Sequence, residues 1–184
     1  MSSPTPPQRV LIACIGNIFL GDDGFGVEMA QRLMRRGYPR NVEVIDFGIR
    51  GVELAYSLLD DYDELILVDA VPRGSAPGTL YLLEIDMEHI PVGNVTQVAL
   101  DAHSMDPVRV LAFARVLGAR SIHTLLVGCE PAILGSGGEY EDMQVGLSAP
   151  VQAALAGAVK MVDGLIEQWY TLDRNNPVEK GKAR

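Results

Sequence analysis

Two adjacent acids, Asp22 and Asp23, stand in the stretch GNIFLGDDGFGVEMA (residues 16–30), directly after the apolar run RVLIACI. Gly16, Gly21, Gly24 and Gly26 punctuate this loop, and it holds no lysine or arginine. Phosphate would meet repulsion here, where a nucleotide site needs backbone N–H groups and a positive helix end. Neither G-x-G-x-x-G nor G-x-x-x-x-G-K-[ST] is present. An acid beside a helix N-terminus does suit the helix dipole, and only one side chain can occupy the N-cap. That role falls first on Asp22, which leaves Asp23 the better candidate for chemistry.

Asp69 follows ELILV at the carboxyl end of an apolar strand. A carboxylate there is costly unless paired, hydrogen-bonded or bound to a cation; capping the turn into AVPRG is the alternative. His103 lies in LDAHSMDP, shortly before a helix start, whereas His89 (in DMEHIP) reads as surface and His123 as a local hydrogen-bonding residue at a strand start. Taken alone, a loop histidine carries no function. If strands one and three are neighbours, however, Asp23 and Asp69 both emerge at the topological switch point, where open α/β sheets bind ligands. With His103 in the same crevice, the two oxygens and one nitrogen suit a borderline divalent ion such as Ni²⁺ or Zn²⁺. Three protein ligands would leave positions open for water or substrate. Nucleophilic alternatives are weak: Ser104 merely adjoins His103, Cys129 has no evident base, and there is no H-E-x-x-H.

The elements that must position these residues are legible as short apolar runs at 9–15, 42–47, 64–71, 79–85 and 123–129, apolar almost throughout. Such runs mark strands buried on both faces. Helical patterns fall at about 25–36, 52–59, 107–118 and 149–170, with Asp106 as N-cap and Pro107 at the first helical position of the third. The alternation predicts a three-layer α/β/α domain. PRGSAPG (72–78) is too short for a crossover helix, so the fourth strand should run antiparallel, at an edge. One domain is expected over 1–184, with 1–8 and about 172–184 as flexible tails. Fifteen basic against 24 acidic residues give a net charge of −9, which argues against a nucleic-acid partner. No membrane span and no export signal are expected, which fits a cytoplasmic protein. Cys14 and Cys129 read as buried free thiols.

IGNIFLGDDGFGVEMAQRL, VDA (68–70), PGTLYLL (77–83), DAHSMDP (101–107), VGCEP (127–131) and GLSAPV (146–151) occur in that order. Together they resemble the [NiFe]-hydrogenase maturation endopeptidases, over most of residues 9 to 170. The resemblance implies a twisted, mostly parallel five-stranded sheet between helices with one antiparallel strand, phosphorylase/hydrolase-like. It implies a monomeric peptide hydrolase that removes the C-terminal extension of the hydrogenase large-subunit precursor after nickel insertion. Asp23, Asp69 and His103 take the nickel-binding and catalytic positions, the metal arriving with the substrate. DFGIRG (46–51) resembles a second family loop that meets substrate, which makes Asp46, Gly48 and Gly51 further candidates. Two rivals stand beside this reading: a nickel chaperone that would use the same three ligands but dock without cutting, and a nucleotide-binding α/β protein, whose phosphate loop is missing.

Overall fold

A computed structural model describes residues 9–91, 106–135 and 143–175, with side chains through 169. Five strands form one sheet in the order β2-β1-β3-β5-β4: β1 (Val10–Ile15), β2 (Val42–Gly48), β3 (Glu64–Ala70), β4 (Leu80–Ile85) and β5 (His123–Cys129). The first three and β5 are mutually parallel. β4 pairs antiparallel with β5 at the edge, as the short connection from β3 requires.

Side chains alternate between two cores. Leu11, Ala13 and Ile15 of β1 and Leu65 and Leu67 of β3 pack under α2 (Gly51–Ser57) and α3 (Pro107–Leu117). Val10, Ile12 and Cys14 with Ile66 and Val68 pack under α1 (Phe25–Leu33) and α4 (Ala149–Asn175). Both faces of the central strands are thus covered, which explains why they read as continuous apolar runs. Asp106 caps α3, its carboxylate accepting from Val108 N at 2.9 Å, and Pro107 follows at the first turn.

By length and composition, Ala149–Trp169 of α4 could cross a membrane. Instead its apolar stripe, from Val151 through Leu155, Ala158 and Val162 to Trp169, lies against the sheet. Its Asp163 binds Arg36 and accepts from the Tyr38 hydroxyl at 2.6 Å, which joins the end of the first helical segment to α4. The helix continues through Asn175, so residues 172–175, expected to begin a flexible tail, are helical. Cys14 and Cys129 are buried free thiols; burial raises both, and Cys129, facing also the charge of Asp22, reaches about 11.

Candidate active site

β1 and β3 are neighbours with their carboxyl ends side by side, and β2 and β5 flank them. At this switch point α1 presses close to the strands. A Cβ on Gly26 would lie 2.0 Å from the Ile15 carbonyl oxygen and 2.7 Å from that of Val68. Gly16, at φ +148°, turns the chain out of β1 where a Cβ would meet the Asp23 carbonyl oxygen at 2.0 Å. The glycines of the opening motif therefore serve close backbone approach, not a phosphate.

That packing fixes the two acids differently. Asp22 is fully buried but does not cap α1, contrary to the sequence expectation; the residue before the helix is Gly24, with no side-chain cap. The carboxylate of Asp22 accepts four hydrogen bonds: from Ala132 N (2.8 Å), Ile133 N (3.0 Å), Ser148 N (2.7 Å) and Ser148 Oγ (2.8 Å). It therefore ties the loops after β5 and before α4 to the loop after β1. A charged acceptor with four donors is a strong clasp. Asp23 points to the other side. One oxygen accepts from Asn17 N at 2.9 Å, and the group lines a crevice of about 1160 Å³.

Asp69, at the end of β3, lines the same crevice and is 7% exposed. One of its oxygens accepts from Ala70 N at 2.8 Å. Burial, and then the charge of Asp23, push its carboxyl well above the ordinary range, against the lowering effect of the Ala70 N–H. Asp23 is raised too, mainly by burial and opposed by the Asn17 N–H. Among the described residues neither acid has an ion pair. Two carboxylates in one crevice, both raised by burial and Asp69 further by the charge of Asp23, form a site for a proton or a cation.

His103 lies outside the described residues, and among those described no three His, Cys, Asp or Glu side chains form a metal-holding group. The loop 46–51 does not place its expected residues on the crevice. Asp46 Oδ1 accepts from Gly48 N at 2.9 Å, closing the turn at positive φ, and Gly51 begins α2. Ile49, 61% exposed, reaches the crevice in their stead. His89 is on the surface beside Asp86, and His123 bonds Glu64 at the opposite ends of the strands.

Sequence reasoning missed three residues here. Asp106, besides capping α3, stands on the crevice wall and adds to the raised affinity of Asp69. Arg73 brings a cation to that wall, its guanidinium 5.6 Å from the Tyr81 ring centroid. Glu130 shapes the connection that carries Arg73: its carboxylate accepts from Arg73 N and Gly74 N at 2.9–3.1 Å and from the Tyr81 hydroxyl. The Tyr81 hydroxyl, followed by those N–H groups, holds it below the ordinary carboxylate range. Its place in VGCEP was the available signal.

The fold and the crevice together define an α/β enzyme with paired carboxylates at the switch point of its sheet. Comparison with known proteins makes the class specific. A family model described as hydrogenase maturation protease (HycI) matches residues 27–164. A candidate hydrogenase maturation protease of Methanocaldococcus jannaschii is 34% identical over 162 residues, 88% of this chain and 98% of that protein. The hydrogenase expression/formation protein HupD of Bradyrhizobium diazoefficiens is 31% identical over 92% of this chain and 83% of its own length. The hydrogenase maturating endopeptidase HybD of E. coli superposes with a TM-score of 0.64 at 27% identity, covering 88% of this chain and 93% of that one. The chain belongs to the hydrogenase maturation protease family and is a peptide hydrolase.

Proposed function

We propose that this protease removes the C-terminal extension of a [NiFe]-hydrogenase large-subunit precursor, and that it recognises the nickel already held in that precursor. The observation that supports this most directly is the pair Asp23 and Asp69, two carboxylates sharing one crevice without a cation partner among the described residues. A divalent ion delivered by the substrate would relieve their repulsion and gain two oxygen ligands. His103, which precedes α3 in the sequence, would supply the nitrogen ligand. On this reading nickel belongs to the substrate and is not a resident cofactor; held by precursor thiolates, it seats the scissile bond over the crevice. The enzyme acts as a monomer in the cytoplasm.

The test is direct. Purified protein is incubated with nickel-loaded and with nickel-free precursor, and the products are weighed by mass spectrometry. Loss of a C-terminal peptide from the loaded form alone supports the proposal. Tight binding without any mass change would make the protein a chaperone instead.

A further inference from the structure

Asn17, where the chain leaves β1, lines the crevice beside Asp23 and is half-buried. All of its polar groups but one are committed. Its N–H donates to Asp23 Oδ2 at 2.9 Å, and its carbonyl oxygen accepts from Leu20 N at 3.1 Å. Its side-chain Oδ1 accepts from Phe19 N at 3.0 Å, the short-range bond of an Asx turn. Only an oxygen can accept from an N–H, so this bond fixes which end of the amide is Nδ2. Nδ2 therefore keeps two N–H donors, and among the described residues nothing accepts from them. It is open to solvent as well, since Arg32 Nε is the buried side-chain nitrogen without a partner among those residues. A neutral donor, locked in orientation, thus stands on the crevice with its own backbone bonded to the Asp23 carboxylate.

Peptide hydrolysis builds negative charge on the carbonyl oxygen of the bond being cut. The water oxygen bonds to the carbonyl carbon, the C=O π pair moves onto the carbonyl oxygen, and one water proton goes to a crevice carboxylate. On collapse that pair re-forms C=O, the C–N bond breaks, and the carboxylate returns the proton to the leaving amine. The crevice lining carries the acids Asp23, Asp69, Glu84 and Asp106 against the cation Arg73, so most of its charge opposes an oxyanion. A placed donor is therefore needed. We infer that Asn17 is a catalytic residue whose Nδ2 donates to this oxyanion, an inference that rests on the precursor being the substrate. The Asx turn holds the amide before charge develops, which is when a fixed donor gains most over water. Being neutral, the amide does so without pairing with Asp23 or Asp69 and blocking them against a cation.

The test compares processing of nickel-loaded precursor by the unsubstituted chain, Asn17→Asp and Asn17→Ser. Asn17→Asp keeps an oxygen for Phe19 N and replaces the donor with an acceptor. Asn17→Ser keeps a neutral oxygen for the same turn but is too short to reach where Nδ2 stood. In both, kcat should fall about 10²–10³-fold, as for a lost oxyanion donor, with KM within about twofold. The change in melting temperature on adding free Ni²⁺ should match that of the unsubstituted chain for Asn17→Ser, because the amide is no ligand of the ion. Where the added charge of Asn17→Asp disturbs that response or the fold, Asn17→Ser decides. A kcat for Asn17→Ser within about threefold of the unsubstituted value overturns the inference. So does a defect confined to KM, which would make Asn17 a binding residue. A fall in kcat accompanied by an altered Ni²⁺ response also overturns it, since the turn would then act by displacing Asp23. If the unsubstituted chain leaves loaded precursor uncut, the substrate reading itself fails and takes the inference with it.

Discussion

At the scale of single residues, Asp22 and Asp23 share a loop but face different surroundings, and substitution should separate them. Asp22→Ala removes an acceptor from four donors and leaves part-buried N–H groups at both ends of the distant connection between β5 and α4 unpaired. We expect a loss of about 3–5 kcal/mol, far more than for a lost helix cap. Urea unfolding measures it; a loss near 1 kcal/mol would restore the capping role. Asp23→Ala should leave folding nearly unchanged and abolish processing, Asp23→Glu should retain some, and Asp23→Asn should be much weaker. Asp69→Asn should be inactive yet more stable at neutral pH. The raised folded carboxyl holds a proton that the unfolded chain releases near pH ~3.9. The natural protein therefore loses stability as pH rises from there through the raised folded value, and the loss is complete above it. The amide keeps an oxygen for Ala70 N without the charge. Melting curves should coincide near pH ~3 and differ by a few degrees at pH ~7; coincidence at both would refute the argument. The place of Asp69 on the crevice was legible in the sequence because a strand end fixes where its side chain emerges, whereas Asp23 stands in a short 3-10 turn before α1 and was legible only through the glycine-rich motif around it. The role of Asp22 was not, because its partners lie 110 to 126 residues away.

At the scale of elements, the contact of α1 with the ends of β1 and β3 governs the shape of the crevice. Gly26→Ala would place a carbon against two carbonyl oxygens of the sheet, and rigid backbone can yield only by moving the helix. The expected cost is about 3 kcal/mol or more, with processing lost through displacement of Asp23. Full activity and stability in that variant would show that α1 is free to shift. Strand positions were readable because burial on both faces leaves unbroken apolar runs, and the antiparallel β4 because seven residues cannot hold a crossover helix. The loop 46–51 was misread in detail. Its glycines signal a turn, and a turn spends Asp46 on its own Gly48 N–H, which leaves the crevice to the apolar Ile49.

For the molecule as a whole, a protease with a net charge of −9 keeps Asp69 buried beside the charge of Asp23, a placement that raises its carboxyl and costs the fold stability as pH rises. A charge pair of this kind is tolerated when an incoming group neutralises it, and then its cost in the free protein becomes selectivity for that group. On the proposed reading, nickel carried by the precursor would satisfy this requirement. Free Ni²⁺ should also relieve the repulsion, and so should raise the melting temperature of the natural protein in a concentration-dependent way, as linkage requires of any ligand that binds only the folded state. The same titration on Asp69→Asn should give a much smaller rise. In processing assays, nickel-free precursor should remain uncut across the range of enzyme concentrations that completes cleavage of the loaded form. Efficient cleavage of rigorously metal-free precursor, together with an Asp69→Asn melting response equal to that of the natural protein, would remove nickel from the account and leave the pair to act on water alone.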